Sequence, residues 1–530
     1  MGLLEENGPC FVETDSKTTR LNPWSWNNEV NMLYIDQPTQ VGFSYDVPTN
    51  STLVLHDEWR RGFQPVPTNF SNGIPEVNLT HRVGTVSSQR PNNTANSTAY
   101  AAHAVWHFMQ TWFFEFPHYK PHDNRISVWT ESYGGHYGPG FFGFFQRQNE
   151  KIDNGTTTEK GAHRLHLDTL GIINGLIDYT TQAIYYLHYG YNNVRSPPPL
   201  PHSPAHLPQQ TYSIPLYNQS TYESLLSSWT QPGGCTDKLL ACRSHLLDNP
   251  NPTSPNPCTL FDTACAAPLD ESFSASNQLN RSWYDIANPS ADAFPPPHLH
   301  GYLTSSAVLS ALGVPVNYTA ASAMVGNAFD ANFDIVRGDY LGDLAHLLDE
   351  GNVSVHLVYG DRDWACNWLG GEAAAFAVPW RRREEFVHVA GYAPLLVPMG
   401  KSKGKGEREE VKGMTRQVGR FSFSRVFQAG HEVPAYQPEA AYEVFMRAMT
   451  GRDVATGSVD ITRPGEDVVT VGRNDTLAVR QKAPPVMAPR CYVLKPATCL
   501  EDVWETVRDG TARVEDFFVV GETEQEIGDL

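Results

Sequence analysis

The residues Thr130-Glu131-Ser132-Tyr133-Gly134-Gly135 lie between an apolar run, Arg125 to Trp129, that reads as a strand and a stretch that reads as a helix. A sharp turn in that setting lifts a serine hydroxyl above the end of a sheet, and small glycines let the following helix pack close. The setting is that of a nucleophile elbow. The generic pattern Gly-x-Ser-x-Gly is incomplete, because Thr130 stands where its first glycine belongs. On this stretch alone Ser132 is either a nucleophile or an ordinary turn serine.

Working outward, Ser97 or Thr98 is placed to cap a helix running to about Phe114, stopped by Pro117. Ala101, Val105, Phe108, Met109 and Trp112 recur at helical spacing and are expected in the core. Val30 to Ile35, Leu170 to Ile177, Val353 to Tyr359 and Phe421 to Phe427 have the length and apolar character of buried strands, and a helix is expected from Pro438 to about Thr450. Strands alternating with helices imply an α/β fold: a mostly parallel sheet flanked by helices. The alternation breaks between about Tyr179 and Leu341, where Pro197 to Pro201, Pro295 to Pro297 and four cysteines fall. The expected organisation is a core of residues 1–178 and 342–450, an insertion or cap over the active site at 179–341, and a C-terminal extension of unknown structure at 451–530. Lys401 to Gly413, rich in Lys, Glu and Gly, is expected to be an exposed loop.

Bulk properties narrow the partners. The chain has 530 residues and a formal net charge of −19. Such an acidic balance argues against nucleic acid, which needs clustered Lys and Arg, and disfavours an anionic membrane surface. No apolar run approaches the length of a membrane span. Sequons begin at Asn50, Asn69, Asn78, Asn92, Asn96, Asn154, Asn218, Asn280, Asn317, Asn352 and Asn474, more than chance would place, so N-linked glycans are expected. Cys235 and Cys242 are seven apart, as are Cys258 and Cys265. That symmetry suits nested disulfides, Cys235–Cys265 and Cys242–Cys258, with two other connectivities open. Cys491 and Cys499 are a candidate third bridge. The first residues, Met1-Gly2-Leu3-Leu4-Glu5-Glu6, carry neither the basic region nor the apolar core of a signal peptide. Secretory chemistry thus sits on a chain that shows no export signal.

A serine nucleophile needs a base, and the base needs an orienting carboxylate. Beyond the strand at Val353 comes Tyr359-Gly360-Asp361-Arg362-Asp363-Trp364-Ala365-Cys366-Asn367, and beyond the strand at Phe421 comes Ala429-Gly430-His431-Glu432-Val433-Pro434. The order Ser, Asp, His is that of the α/β-hydrolases, each residue lying just past a strand.

With these residues in place, the chain resembles the serine carboxypeptidase family. Glu131 to Gly135 with His136-Tyr137-Gly138-Pro139 is similar to the family's serine motif, Gly360 to Gly370 to its aspartate motif, and Gly430 to Pro434 to its histidine motif. Asn22 to Tyr45 is also family-like, with Gln40 where a second glycine is usual; a Thr-Gln pair there resembles the fungal secreted branch. The resemblance implies an α/β-hydrolase-like fold and a serine-type exopeptidase that removes C-terminal residues from peptides and proteins in mild acid, without metal or cofactor. It implies Ser132 as nucleophile, His431 as base and then acid, and Asp363 as its partner, Asp361 being the other candidate. The Tyr133 amide would serve the oxyanion hole. Glu131 and Glu6 would share a proton and bind the substrate carboxylate, and Cys366 would be a free thiol near the site.

The resemblance also implies that the chain lacks the family's beginning. A Gly-rich turn, Asn-Gly-Gly-Pro-Gly-Cys-Ser, should end where Met1 stands. It carries a second oxyanion donor and part of the carboxylate site. A signal peptide and the first strands would be lost with it, and Cys10 would lack its partner. The expected destination is the secretory pathway, to the exterior or a vacuole. A carboxypeptidase-like acyltransferase, using the same triad to acylate an alcohol, and an inactive truncated relative are the alternatives.

Overall fold

The computed structural model describes residues 1–55, 63–116, 118–192, 212, 214, 216–249, 256–276, 281–291, 293–399 and 408–521. The chain divides into two compact units: Met1–Asn96 with Asn288–Phe329 and Val486–Leu530, and Ser97–Ala287 with Asp330–Pro485.

The second, larger unit begins with helix α1 (Thr98–Glu115), whose first turn is capped by Ser97 accepting from the Tyr100 amide at 3.4 Å. Its buried face keeps Ala101 and Met109 of the expected row and adds Ala102, Trp106 and Gln110. Val105 and Trp112 are half-buried and Phe108 is 39% exposed. The helix is apolar on several faces, so the sequence does not single out the inward one; packing against the following helix decides it. Pro117 lies outside the described residues.

Next come β1 (Arg125–Glu131), α2 (Gly134–Asp153), β2 (His166–Ile173), α3 (Tyr340–Asp349), β3 (Ser354–Gly360), α4 (Trp368–Ala377), β4 (Ala393–Met399), β5 (Arg408–Val418), β6 (Phe421–Val426) and α5 (Pro438–Met449). The six strands form one sheet in the order β1-β2-β3-β6-β5-β4. β1, β2, β3 and β6 run parallel, and β5 and β4 complete the sheet antiparallel. β3 and β6 are buried along their whole length, which is why their sequences read as unbroken strands. Residues 408–413, expected in a loop, belong to β5: they pair with β4, with a bulge between Val411 and Gly413. Arg408, Glu409 and Glu410 are exposed, while Lys412 is half-buried and pairs with Glu410 and Glu439, so polarity and a strand are compatible here. Residues 401–407 lie outside the described residues.

Between β2 and β3 the described chain is mainly helical: Gln219–Thr230, Cys235–Asp248, Pro257–Phe261 and Ala267–Ser276 follow one another. Disulfides join Cys235 to Cys265 and Cys242 to Cys258, the nested pairing that the spacing suits. Leu239, Leu246, Phe261, Leu269, Tyr222 and Trp229 pack around them. Pro197 to Pro201 lie outside the described residues.

The smaller unit holds a three-stranded antiparallel sheet with Thr49–Leu55 between Phe63–Pro67 and His81–Val86. The Cys491–Cys499 disulfide packs with Trp504, Val507 and Leu55. Residues 30–35, expected as a buried strand, form no regular element and pair with no strand among the described residues, and Leu33 and Ile35 are exposed. An apolar run of this length makes a strand only when a neighbour supplies the ladder. The sequon residues Asn50, Asn69, Asn78, Asn92, Asn96, Asn154, Asn218, Asn352 and Asn474 are exposed; Asn317 is half-buried, and Asn280 lies outside the described residues. No described helix is long and apolar enough to cross a membrane.

Candidate active site

β1 delivers the chain to Ser132, whose φ is +61°, in the left-handed region. A non-glycine residue held there is strained and persists because its surroundings fix it. Here the Ser132 amide donates to the Ile173 carbonyl at 3.0 Å, and its carbonyl accepts from Gly135 and Leu176 at 2.9 Å each. A Cβ on Gly135 would lie 2.4 Å from the Leu176 carbonyl carbon, so the turn and the β2 loop can meet only at a glycine. Thr130, standing where the generic pattern has its first glycine, donates its hydroxyl to the Gly134 carbonyl at 2.9 Å.

β3 and β6 deliver the other two groups. A Cβ on Gly360 would lie 2.0 Å from the Gly430 carbonyl oxygen, so the backbones of the two loops are in contact at this seam. Just beyond it, His431 Nδ1 and Asp363 Oδ2 are 2.7 Å apart, both buried. Asp363 Oδ2 also accepts from Asn174 Nδ2 at 2.8 Å and from the Cys366 amide at 3.1 Å. Asp361 is held elsewhere: it accepts from the Tyr212 hydroxyl at 2.6 Å and the Gln428 amide at 3.0 Å, and pairs with buried Arg425 at 3.4 Å. Burial raises its pKa, with Arg425 and Tyr212 opposing.

Cys366 is a free, buried thiol. Its sulfur, an Asp363 oxygen and a His431 nitrogen lie within 4.8 Å of one another, and the Ser132 side chain is a neighbour of the thiol. Burial pushes the thiol well up, and the charges of Asp363 and Glu131 add to that. A raised pKa keeps the thiol in its neutral form. Ser132, Asp363, His431, Cys366 and Glu131 thus gather at one end of the parallel strands.

Tyr133 opens α2; its hydroxyl donates to Asp334 at 2.7 Å and its ring stacks on His136 at 4.6 Å. Glu131 is the half-buried last residue of β1. Glu6 belongs to the smaller unit, in the short helical turn Gly2–Glu6, and is only 5% exposed. Burial, then the Glu6 charge, raises the Tyr34 hydroxyl pKa, and Tyr34 donates to Asn7 Oδ1 at 2.7 Å.

Sequence reasoning missed Asn174, which has φ +40° and is fully buried. Its one signal was a lone amide inside the apolar stretch Ile172-Ile173-Asn174-Gly175.

The family model described as serine carboxypeptidase matches residues 1–451. Carboxypeptidase S1 homolog A of Arthroderma otae is 46% identical over 531 residues, covering 98% of this chain and 76% of that protein. Carboxypeptidase Y homolog of Arthroderma benhamiae is 36% identical over 538 residues, covering 99% and 79%. Carboxypeptidase S1 of Penicillium janthinellum is 30% identical over 456 residues, covering 86% of each. Among solved structures, a prohormone-processing carboxypeptidase from Saccharomyces cerevisiae superposes with a TM-score of 0.55 at 19% identity, over 89% of this chain and 83% of that one. That likeness is one of fold, the α/β-hydrolase fold.

Proposed function

Because the chain belongs to the serine carboxypeptidase family, we propose that its exopeptidase chemistry is carried by Ser132 as nucleophile, His431 as base and then acid, and Asp363 as the orienting carboxylate. The observation that supports this most is the 2.7 Å contact between His431 Nδ1 and Asp363 Oδ2, beside a serine in the left-handed conformation. With Nδ1 so engaged, Nε2 is the nitrogen that accepts the Ser132 proton. Ser132 Oγ adds to the carbonyl carbon of the last peptide bond, and the Tyr133 amide stabilises the developing oxyanion. The tetrahedral adduct then expels the terminal amino acid, whose nitrogen takes the proton from His431. Water, deprotonated by His431, cleaves the acyl-enzyme and restores Ser132. Incubation with an organophosphate tests the assignment: phosphorylation of Ser132 is expected, and labelling of another serine overturns it.

In this reading Glu131 and Glu6 recognise the free C-terminus. Two carboxyls that share one proton donate a hydrogen bond to the substrate carboxylate in mild acid and repel it once both ionise. Peptide and protein C-termini are the substrates, and residues 179–341 act as the cap that shapes access to the core of residues 1–178 and 342–450. The exposed sequons and the disulfides support a path through the secretory system, with N-linked glycans and delivery outside the cell or to a vacuole.

A further inference from the structure

Residues 283–286, at the end of the helical insertion, touch both loops that carry the acid and the base. The Trp283 carbonyl accepts from the amides of Trp364 and Ala365 at 3.1 and 3.0 Å, and the Ile286 amide donates to the Arg362 carbonyl at 2.9 Å. The backbone on either side of Asp363 is therefore fixed by this segment. The carbonyl between them, that of Tyr284, accepts from the His431 amide at 2.9 Å. The approach is close enough that a Cβ on Gly430 would lie 2.6 Å from the Tyr284 oxygen, which explains the glycine before His431. The Tyr284 ring stands 4.9 Å from the imidazole while remaining 52% exposed.

The segment is anchored by an ion pair. Asp285 Oδ2 meets Arg362 Nη2 at 2.9 Å, with side chains 0% and 5% exposed. The other Asp285 oxygen accepts from the Ala287 amide at 2.9 Å, and the Arg362 guanidinium lies 5.1 Å over the Tyr436 ring. Well-packed apolar side chains would stabilise such a site as well as a buried ion pair does, so what the pair supplies here is one defined register between insertion and loop. Resting on the assignment of Asp363 and His431 above, we infer that residues 283–286 form a strap that sets the acid against the base, and that Asp285 is a positioning residue for the reaction.

The titratable groups facing His431 include Asp363, the Cys366 thiol and the Tyr284 ring, with Glu131 acting on the same thiol and the Asp285–Arg362 pair behind the strap. Asp363, in direct contact with Nδ1, stabilises the imidazolium. A loosened strap weakens that contact and so lowers the pH at which His431 takes up its proton. The base must be neutral to act, so the acid limb of kcat moves to lower pH.

The experiment is Asp285→Asn in the full chain, with active sites counted by organophosphate labelling of Ser132. Asparagine keeps an acceptor for Ala287 but removes the charge from Arg362. The expected result is a fall of roughly 10- to 100-fold in kcat per labelled site with KM nearly unchanged, an acid limb displaced to lower pH, and a shifted low-field proton resonance of the Asp363–His431 hydrogen bond. Arg362→Lys keeps the cation with fewer donors; it should show the same changes at smaller size and supplies the readouts if Asp285→Asn does not fold. Wild-type kcat, acid limb and low-field resonance in a variant whose Tm has dropped would overturn the strap. Wild-type protein that is not labelled at Ser132 would overturn the triad instead, so the two failures are distinguishable.

Discussion

Asn174 and Asp363 are joined through the oxygen that also serves His431: the Asn174 amide donates to Asp363 Oδ2 at 2.8 Å, and the same oxygen faces His431 Nδ1 at 2.7 Å. The Asn174 carbonyl oxygen accepts from the Gly360 amide at 2.8 Å, so the side chain ties the ends of β2 and β3 together. Its left-handed backbone is what turns the side chain into this position. Asn174→Ala is expected to lower kcat by roughly ten-fold, through loss of one hydrogen bond to the buried carboxylate. Asn174→Asp is expected to be worse, because a second carboxylate beside Asp363 disfavours its ionised form. Steady-state kinetics on both variants, with melting curves to confirm folding, decide the point; the reverse ranking would mean that Asn174 acts on the fold and not on Asp363.

Ser132→Ala is expected to remove measurable hydrolysis of peptides and esters and to leave Tm within a few degrees of wild type. The left-handed φ at this position is imposed by backbone bonds to Ile173, Gly135 and Leu176, none of which uses the hydroxyl. Scanning calorimetry and an ester assay are sufficient. Retained ester turnover above background would mean that another group is the nucleophile.

The two proposed carboxylate roles predict different pH profiles for different substrates. Peptide hydrolysis needs a shared proton on Glu131 and Glu6 and a neutral His431, and these demands overlap only in mild acid. A blocked ester has no terminal carboxylate, so its rate should hold to higher pH. Glu131→Gln should weaken binding of free peptides in mild acid while slowing the ester far less. Superimposable profiles for the two substrates would remove the carboxyl pair and favour transfer of acyl groups to an alcohol.

Sensitivity of the fold to acid has a separate origin in β3. His356 is completely buried there, with Nδ1 2.8 Å from the Ser422 hydroxyl, and burial pushes its pKa down to about 3. A histidine depressed in the folded state adds stability that is present above its unfolded value and lost as pH falls towards the folded one. This group alone should therefore cost about 3 kcal/mol of stability on going from neutral pH to pH 4. Replacing the pair with His356→Leu and Ser422→Ala should flatten the fall of Tm between pH 6.5 and 4. An unchanged slope in that window would show that other groups govern acid unfolding.

The elbow, β2, β3 and β6 were legible because buried parallel strands are short unbroken apolar runs, each followed here by a chemically conspicuous loop. The nested cysteine pairing was suggested by equal spacings, which left two other connectivities open. Three features were not legible. The inward face of α1 is decided by its packing against α2, since Phe108 and Trp112 are as apolar as the buried Trp106. The first residues of β5 are polar because they are exposed, so Arg408, Glu409 and Glu410 imitate a loop. Residues 283–286 act through backbone carbonyls and amides, groups that every sequence possesses, and only the fold reveals which ones meet Asp363 and His431.

The nested disulfides change what a cut in the chain does. Cys242 and Cys258 enclose residues 243–257, and Cys235 and Cys265 enclose both. A protease that severs the inner loop once creates two new termini but no separate fragment, because two covalent bridges still join the halves. Ser132 would then reside on one polypeptide, and Asp363 and His431 on the other. Such a nicked molecule runs as a single species on a non-reducing gel and as two chains after reduction. Those three residues remain joined through the sheet, which the cut does not touch.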